Sequence, residues 1–282
     1  MLRSPCCRKQ RQAVWHSVRF FQLFLQTTPC VVEGDTRRAL QKAHPIRTDL
    51  ILSAEIMAIT LNEVAAEDFI VRAGVLAIVG IGCRFPGGGE SAESFWNLLC
   101  SETDATRTVP ETRWHGARYH DPSPAKAGKI VTRRGGFLSE IDQFDPQFFG
   151  ISPREAHSLD PQQRLLLQAT WEALEDSGIP ADTLAGTDVG VFVGGFTLDY
   201  QLLQNQGFTS RYRFKSHSAT GMMMTMLANR ISHAFDFRGP SMTIDTACSS
   251  SLVAVHLAAQ SIWNGECGVA LAGGVNVMIG PN

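Results

Sequence analysis

Four short apolar runs, with helix-patterned stretches in the intervals between them, set the narrowest limits on what this chain can fold into. They are Val75-Leu-Ala-Ile-Val-Gly-Ile81, Val189-Gly-Val-Phe-Val193, Ser241-Met-Thr-Ile244 and the stretch from Val269 to Met278. Runs without polar alternation suit strands covered on both faces, as in a sheet lying between helix layers. Those stretches read as helices. Asp160 fits an N-cap, Pro161 the first helical position and Gly178 the stop of one of them. Leu166, Ala169, Ala173 and Leu174 fall on a related face of that helix, so it is expected to pack on a sheet. Ser94 to Cys100 predicts a short amphipathic helix, and Gly221 to Phe235 a further one. Strands alternating with helices give an α/β layered fold.

Composition removes several function classes. The chain has 282 residues and a formal net charge of −2, which suits one or two domains with a real core and argues against a nucleic-acid partner. Its seven cysteines show neither regular spacing nor a CxxC pair, so neither a disulfide framework nor a zinc site is expected. A reducing cytoplasmic setting follows. No run approaches the roughly 20 apolar residues of a membrane span. Gly80-Ile-Gly82 lacks the third glycine of a dinucleotide fingerprint, and Pro86 interrupts the helix that should follow.

Residues 1–74 differ from the rest. No acid occurs before Glu33, while Arg3, Arg8, Lys9, Arg11 and Arg19 do. Val18 to Leu25 is apolar and aromatic, interrupted by Arg19 and Gln22. This stretch is read as an extension, disordered or preceding a true start at Met57, with a targeting signal as the alternative. Leu61 to Ala73 reads as an amphipathic helix. From Glu102 to Ser158 the chain is rich in Pro, Gly, Asp and Arg. It is expected to be an ordered excursion pinned by Trp114, Tyr119, Phe137, Phe144, Phe148 and Phe149. Lys126, Lys129, Arg133 and Arg134 read as a solvated face, with contact to a carrier protein as the sharper alternative.

The chemistry concentrates at Cys248. Asp245-Thr-Ala-Cys-Ser-Ser-Ser-Leu252 follows the third strand and opens an apolar helix-length run. That places a thiol at a strand–turn–helix junction, near a helix N-terminus. Unpaired N–H groups and the positive helix end favour a thiolate, by about 0.3–1 kcal/mol for the helix end. The same N–H groups suit an oxyanion on an attacked carbonyl. A buried structural cysteine is the competing reading.

This octapeptide resembles the active-site signature of β-ketoacyl synthases. It is most similar to the ketosynthase domains of type I modular polyketide synthases and animal-type fatty acid synthases. Further segments agree, in the family's order. They are Val79-Gly-Ile-Gly-Cys-Arg-Phe-Pro-Gly87, Phe148-Phe-Gly-Ile-Ser-Pro-Arg-Glu155, Leu159-Asp-Pro-Gln-Gln-Arg-Leu-Leu-Leu167 and Trp171-Glu-Ala-Leu-Glu175. Ala228-Asn-Arg-Ile-Ser232, Phe237-Arg-Gly-Pro240 and Ala270-Leu-Ala-Gly-Gly-Val-Asn276 complete the set.

The resemblance covers residues 75–282. It implies a thiolase-like αβαβα fold, of which this chain holds the first half only, and a homodimer formed through that half. It implies that Cys248 takes an acyl group from the phosphopantetheine thioester of an acyl carrier protein, with no cofactor bound directly. A malonyl-type extender then condenses with loss of CO2. It also implies an acyl channel near Met222, Met223 and Met224, where adaptable core is the plainer reading. The family's two catalytic histidines, one in a His-Gly-Thr-Gly-Thr motif, belong to the second half; the motif does not occur here. His256 lies eight residues past Cys248, about 12 Å along a helix at ~1.5 Å per residue, too far to substitute. Two alternatives stand beside a ketosynthase fragment: a non-catalytic dimerisation remnant, and an unrelated cysteine hydrolase. Half of a two-part fold would leave an apolar face uncovered, so the isolated chain is expected to associate.

Overall fold

The computed structural model describes residues 19–24, 76–123, 126–205 and 215–281. Five strands form one parallel sheet: β1 (Arg19–Phe24), β2 (Ala77–Cys83), and, after the antiparallel ribbon of β3 (Arg107–Thr108) and β4 (Arg134–Gly135), β5 (Val189–Gly194), β6 (Ser241–Ile244) and β7 (Val269–Gly274). Their order across the sheet is β2-β1-β7-β5-β6. Four helices carry most of the packing. They are α1 (Ala92–Cys100), α2 (Pro161–Asp176), α3 (Met226–Phe235) and α4 (Ser250–Trp263).

Helices cover both faces, as the unbroken apolar runs require. On one face Val189, Val191 and Val193 of β5 and Leu271 of β7 join Leu166, Ala169, Ala173 and Leu174 of α2 and Leu227 and Ile231 of α3. On the other, Phe192 of β5 and Ala270 and Ala272 of β7 meet Ala254, Ala258 and Ile262 of α4. Alternate residues of one strand thus serve two cores, the period of two that a sheet imposes. The helix–sheet–helix half of a thiolase-like architecture is what these layers make.

Helix α2 obeys its end signals. The Asp160 carboxylate accepts from the N–H of Gln162, Pro161 opens the helix, and Gly178 lies just beyond it at φ 67°. It lies against β2 with almost no gap. A Cβ on Gly82 would come within 2.1 Å of the Ala169 carbonyl, and one on Gly80 within 2.2 Å of that of Ala173. Arg84 clamps the same pair of elements through a two-pronged ion pair with Glu172. Helix α1 begins at Ala92, ahead of the expected Ser94, in a capping box between Ser91 and Ser94.

Three expectations need correction. The helix predicted over Gly221 to Phe235 is two helices, Ser218–Met222 and α3, with Met223 extended between them at ψ 134°. The methionine-rich sequence has good helix propensity throughout, and the tertiary fold overrides it at Met223. The Ser241–Ile244 strand is not covered on both sides. Among the described residues it is the sheet edge, pairs only with β5, and leaves Met242 exposed. The strand over Val269 to Met278 ends at Gly274. Most of residues 1–74, with the helix expected over Leu61 to Ala73 and the start at Met57, lies outside the described residues; Arg19–Phe24 forms β1.

The excursion is pinned by its aromatics. Phe137 and Ile141 are buried, Trp114 packs edge-on to Phe137, and Phe144, Phe148, Phe149 and Trp171 form one contiguous cluster, stacked between Phe144 and Phe149 and edge-on at Phe148. Tyr119 instead lies under the Arg118 guanidinium. Its basic residues have local partners. Lys126 pairs with Asp121, Lys129 donates to the Arg118 carbonyl, Arg133 meets His120 and Arg134 pairs with Asp104.

Candidate active site

The nucleophile turn is short and strained. Strand β6 ends at Ile244, a single 3-10 turn runs from Ala247 to Ser249, and α4 starts at Ser250. Ala247 adopts a left-handed φ of 57°, one of three non-glycine residues to do so among the described residues. Such a conformation costs about 1–2 kcal/mol for an L-residue and persists only where its surroundings hold it. Here they do. The Asp245 carboxylate accepts from the N–H of Ala247 at 3.0 Å. The buried hydroxyl of Ser250 accepts from the N–H of Thr246 at 2.9 Å and donates to the Ala247 carbonyl at 2.7 Å. Ser249 donates to the Thr246 carbonyl. The serines therefore brace the turn behind Cys248 and do not cap α4, whose N-cap has no side-chain hydrogen bond.

The consequence is an exposed thiol at the mouth of a helix, with the backbone of β5 directly behind it. A Cβ on Gly194 would come within 2.6 Å of the Ser250 and Ser251 backbone, and one on Gly274 within 2.7 Å of the Ser251 Cβ. Two glycines let the first turn of α4 settle onto the sheet. Helix α3 fixes β6 from its other side. Asn229 accepts from Ser241, Ser232 donates to Ser241, and the N–H of Ala228 donates to Thr243.

The other expected residues are spread more widely. The Met224 methyl lies 3.3 Å from the Cβ position of Gly195, next to the strand end that supports α4. Met222 is half-buried and Met223 exposed. No described side chain hydrogen-bonds the Cys248 sulfur. His256 is exposed two turns along α4, His233 is exposed at the end of α3, and His217 faces Glu155 at 4.0 Å. No cluster of metal-ligating side chains occurs among the described residues. Sequence reasoning assigns no part to Asp245 or Gly194, and it reads Ser249, Ser250 and Ser251 as first-turn residues whose hydroxyls satisfy free helix N–H groups, which the structure does not show. The signal for Asp245 was present: an aspartate two residues before a tight bend forms an Asx-turn.

A strained strand–turn–helix carrying an exposed cysteine is the geometry against which similarity can be judged. The sequence model of the family described as "Beta-ketoacyl synthase, N-terminal domain" matches residues 74–282. The chain belongs to the β-ketoacyl synthase family. Among curated relatives, a phenolphthiocerol/phthiocerol polyketide synthase component of Mycobacterium tuberculosis is 47% identical over 206 residues, covering 73% of this chain and 11% of that protein. Erythronolide synthase EryA2 of Saccharopolyspora erythraea is 48% identical over 208 residues, covering 73% of this chain and 6% of that protein. A solved oxazolomycin ketosynthase domain from Streptomyces albus superposes with a TM-score of 0.65 at 44% identity, over 72% of this chain and 35% of that one. A ketosynthase from module 6 of the Bacillus subtilis bacillaene synthase gives 0.63 at 36%, over 73% and 33%. This chain thus spans about a tenth or less of these curated relatives and about a third of the solved ketosynthase domains.

Within this ketosynthase fragment the described cysteines divide sharply. Burial pushes the Cys83 thiol up to about 11, against the partial offset of Arg84 beside it. Burial likewise raises Cys267. Cys100 and Cys248 are exposed. At pH 8 a maleimide is expected to label Cys100 and Cys248 at least 100-fold faster than Cys83 and Cys267, because the thiolate is the reacting form and both buried thiols are protonated. Mass mapping over a pH series checks this; equal rates at pH 8 would contradict the burial.

Proposed function

We propose that this chain supplies the nucleophile-bearing half of a polyketide synthase ketosynthase. The observation that carries the reading is the exposed Cys248 on the left-handed turn at the start of α4. The Cys248 sulfur, as thiolate, attacks the carbonyl carbon of an acyl thioester presented on a carrier protein's phosphopantetheine. A carbon–sulfur bond forms, and the developing oxyanion takes the backbone N–H of Cys248. The N–H groups of Thr246 and Ala247 are already occupied by Ser250 and Asp245. Collapse expels the pantetheine thiolate, which takes up the proton that Cys248 gave up. Met222, Met223 and Met224 line the path of the acyl chain, with Met224 nearest the strand end below the nucleophile.

Condensation with a malonyl-type extender belongs to the complete ketosynthase, with donors outside this sequence. The partners are an acyl carrier protein and the second ketosynthase half. A second copy of this chain pairs along the free edge of β6. The setting is the cytoplasm; among the described residues no helix is long and apolar enough to cross a membrane.

Incubation with an acyl pantetheine thioester tests the reading by intact mass. One acyl group is expected, mapped to Cys248, and absent in Cys248→Ala. Steady release of free acid would favour a hydrolase. A folded chain that never acquires label would favour an interaction remnant and remove the acyl-transfer reading.

A further inference from the structure

Three consecutive peptide groups make the bend that carries Cys248, and one buried hydroxyl grips two of them. The N–H of Thr246, in the first, donates to Ser250 Oγ at 2.9 Å. The N–H of Ala247, in the second, donates to the Asp245 carboxylate at 3.0 Å. The third peptide, between Ala247 and Cys248, is held from its other end: Ser250 Oγ donates to the Ala247 carbonyl at 2.7 Å. Among the described residues no group accepts from the N–H of Cys248. Ser250 is only 4% exposed, so its hydroxyl is screened from bulk water.

We infer that Ser250 is a positioning residue for acyl transfer: by gripping the Ala247 carbonyl it aims the N–H of Cys248 at the place where an oxyanion develops. The inference rests on the nucleophile reading above and adds the group that sets its donor. A peptide group is planar and trans, so its C=O and N–H point in opposite directions. An anchor on the oxygen therefore fixes the direction of the hydrogen across the same plane. Work inside the bend is divided. The left-handed φ of 57° at Ala247 follows from the set of the second peptide, which Asp245 holds by its N–H and Ser249 by its carbonyl. Both anchors of the third peptide come from Ser250, the hydroxyl and the N–H of the 3-10 turn. A 3-10 bond is poorly aligned, so the hydroxyl sets the plane. Donation to the carbonyl also polarises the peptide and makes its N–H a stronger donor. Without that anchor the plane can tilt, and the N–H no longer meets the charge as it forms.

The test compares two reactions of one thiolate in the full chain. Acylation by an acyl pantetheine thioester passes through an oxyanion. Alkylation by iodoacetamide displaces iodide at a saturated carbon and makes none. Both need the Cys248 thiolate, so the ratio of their rates cancels any change in its ionisation. Ser250→Ala is expected to slow acylation at least about 10-fold, while alkylation of Cys248 changes by no more than about twofold. Ser250→Cys keeps the packing with a weaker donor and should fall in between. Ser249→Ala loosens the second peptide, not the third, and should shift both rates by the same factor. A ratio that stays native in Ser250→Ala and Ser250→Cys would overturn the inference, whether the two rates hold or fall together. A second readout does not depend on acylation. With isotopically labelled cysteine, the Cys248 amide nitrogen resonance should move further in Ser250→Ala than in Ser249→Ala, because a bond lost at the carbonyl is felt at the nitrogen of the same peptide. Unmoved Cys83 and Cys267 resonances attest the fold, and an unmoved Cys248 resonance beside them would also overturn the inference. A native chain that is never acylated, with the Cys248 resonance moving as expected, would count against the nucleophile reading alone.

Discussion

Adding one methyl group at Gly194 should slow acyl loading of Cys248 by about 100-fold and destabilise the chain by about 3 kcal/mol. The new Cβ has nowhere to go. It would lie 2.6 Å from the Ser250 carbonyl carbon and from the Ser251 nitrogen, and both are backbone atoms. Backbone cannot rotate away as a side-chain tip can, so α4 must lift off β5. Its first turn carries Cys248, and a displacement of about 1 Å there is enough to spoil the approach of a thioester. Gly88→Ala is the matched control. Gly88 has a positive φ of 86° but no atom within 4 Å of its Cβ position. That variant should lose only about 1 kcal/mol and load normally. Unfolding curves and thioester labelling rates on the two variants separate collision from backbone strain. Gly194→Ala that loads at the native rate would show that the helix start does not position the nucleophile.

Glu155→Ala should destabilise the chain by about 3–5 kcal/mol, with a fall in Tm of roughly 10 °C. Glu155 holds the Arg230 guanidinium at 2.5 Å, and the Arg230 side chain is only 7% exposed. Arg230 also donates to Gln163 of α2, which in turn donates to the carbonyls of Thr220 and Gly221. Its second terminal nitrogen, Nη2, already lacks a partner. Removing the carboxylate strands a buried positive charge at the junction of α2, α3 and the Pro153–Ala156 turn. The pair itself contributes far less than that loss. Glu155→Leu combined with Arg230→Met removes both charges and should recover most of the stability. Chemical denaturation of the single and double variants measures the difference. A loss under about 1 kcal/mol in Glu155→Ala would mean that water reaches the guanidinium.

The parts of this fold that were legible in the sequence are those fixed by local chemistry. Asp160, Pro161 and Gly178 delimit α2 because each satisfies a specific end requirement of a helix. Continuous apolar runs give β5, which is buried throughout, and β2, which is covered only in its second half and leaves Ala77 and Ile78 exposed. The nucleophile turn was legible from its serines and small residues, although the serines brace the turn rather than cap the helix. The features that were not legible depend on partners distant in sequence. Nothing near Met223 signals a break between two helices. Ser241–Ile244 looks like any covered strand, and its edge position follows from its pairing, among the described residues, with β5 alone. Arg19-Phe-Phe-Gln-Leu-Phe24 carries a strand-like composition, but its two polar residues hide that character. Only pairing with β2 and β7 reveals it. Gly194 and Gly274 are spacing requirements between a strand and a helix far apart in the chain, and no local pattern encodes them.

Strand β1 pairs with β7 although most of the described sequence lies between them. A contact of such sequence separation must meet the entropy of closing a long loop before it gains anything, so this part of the sheet should close late and slowly in folding.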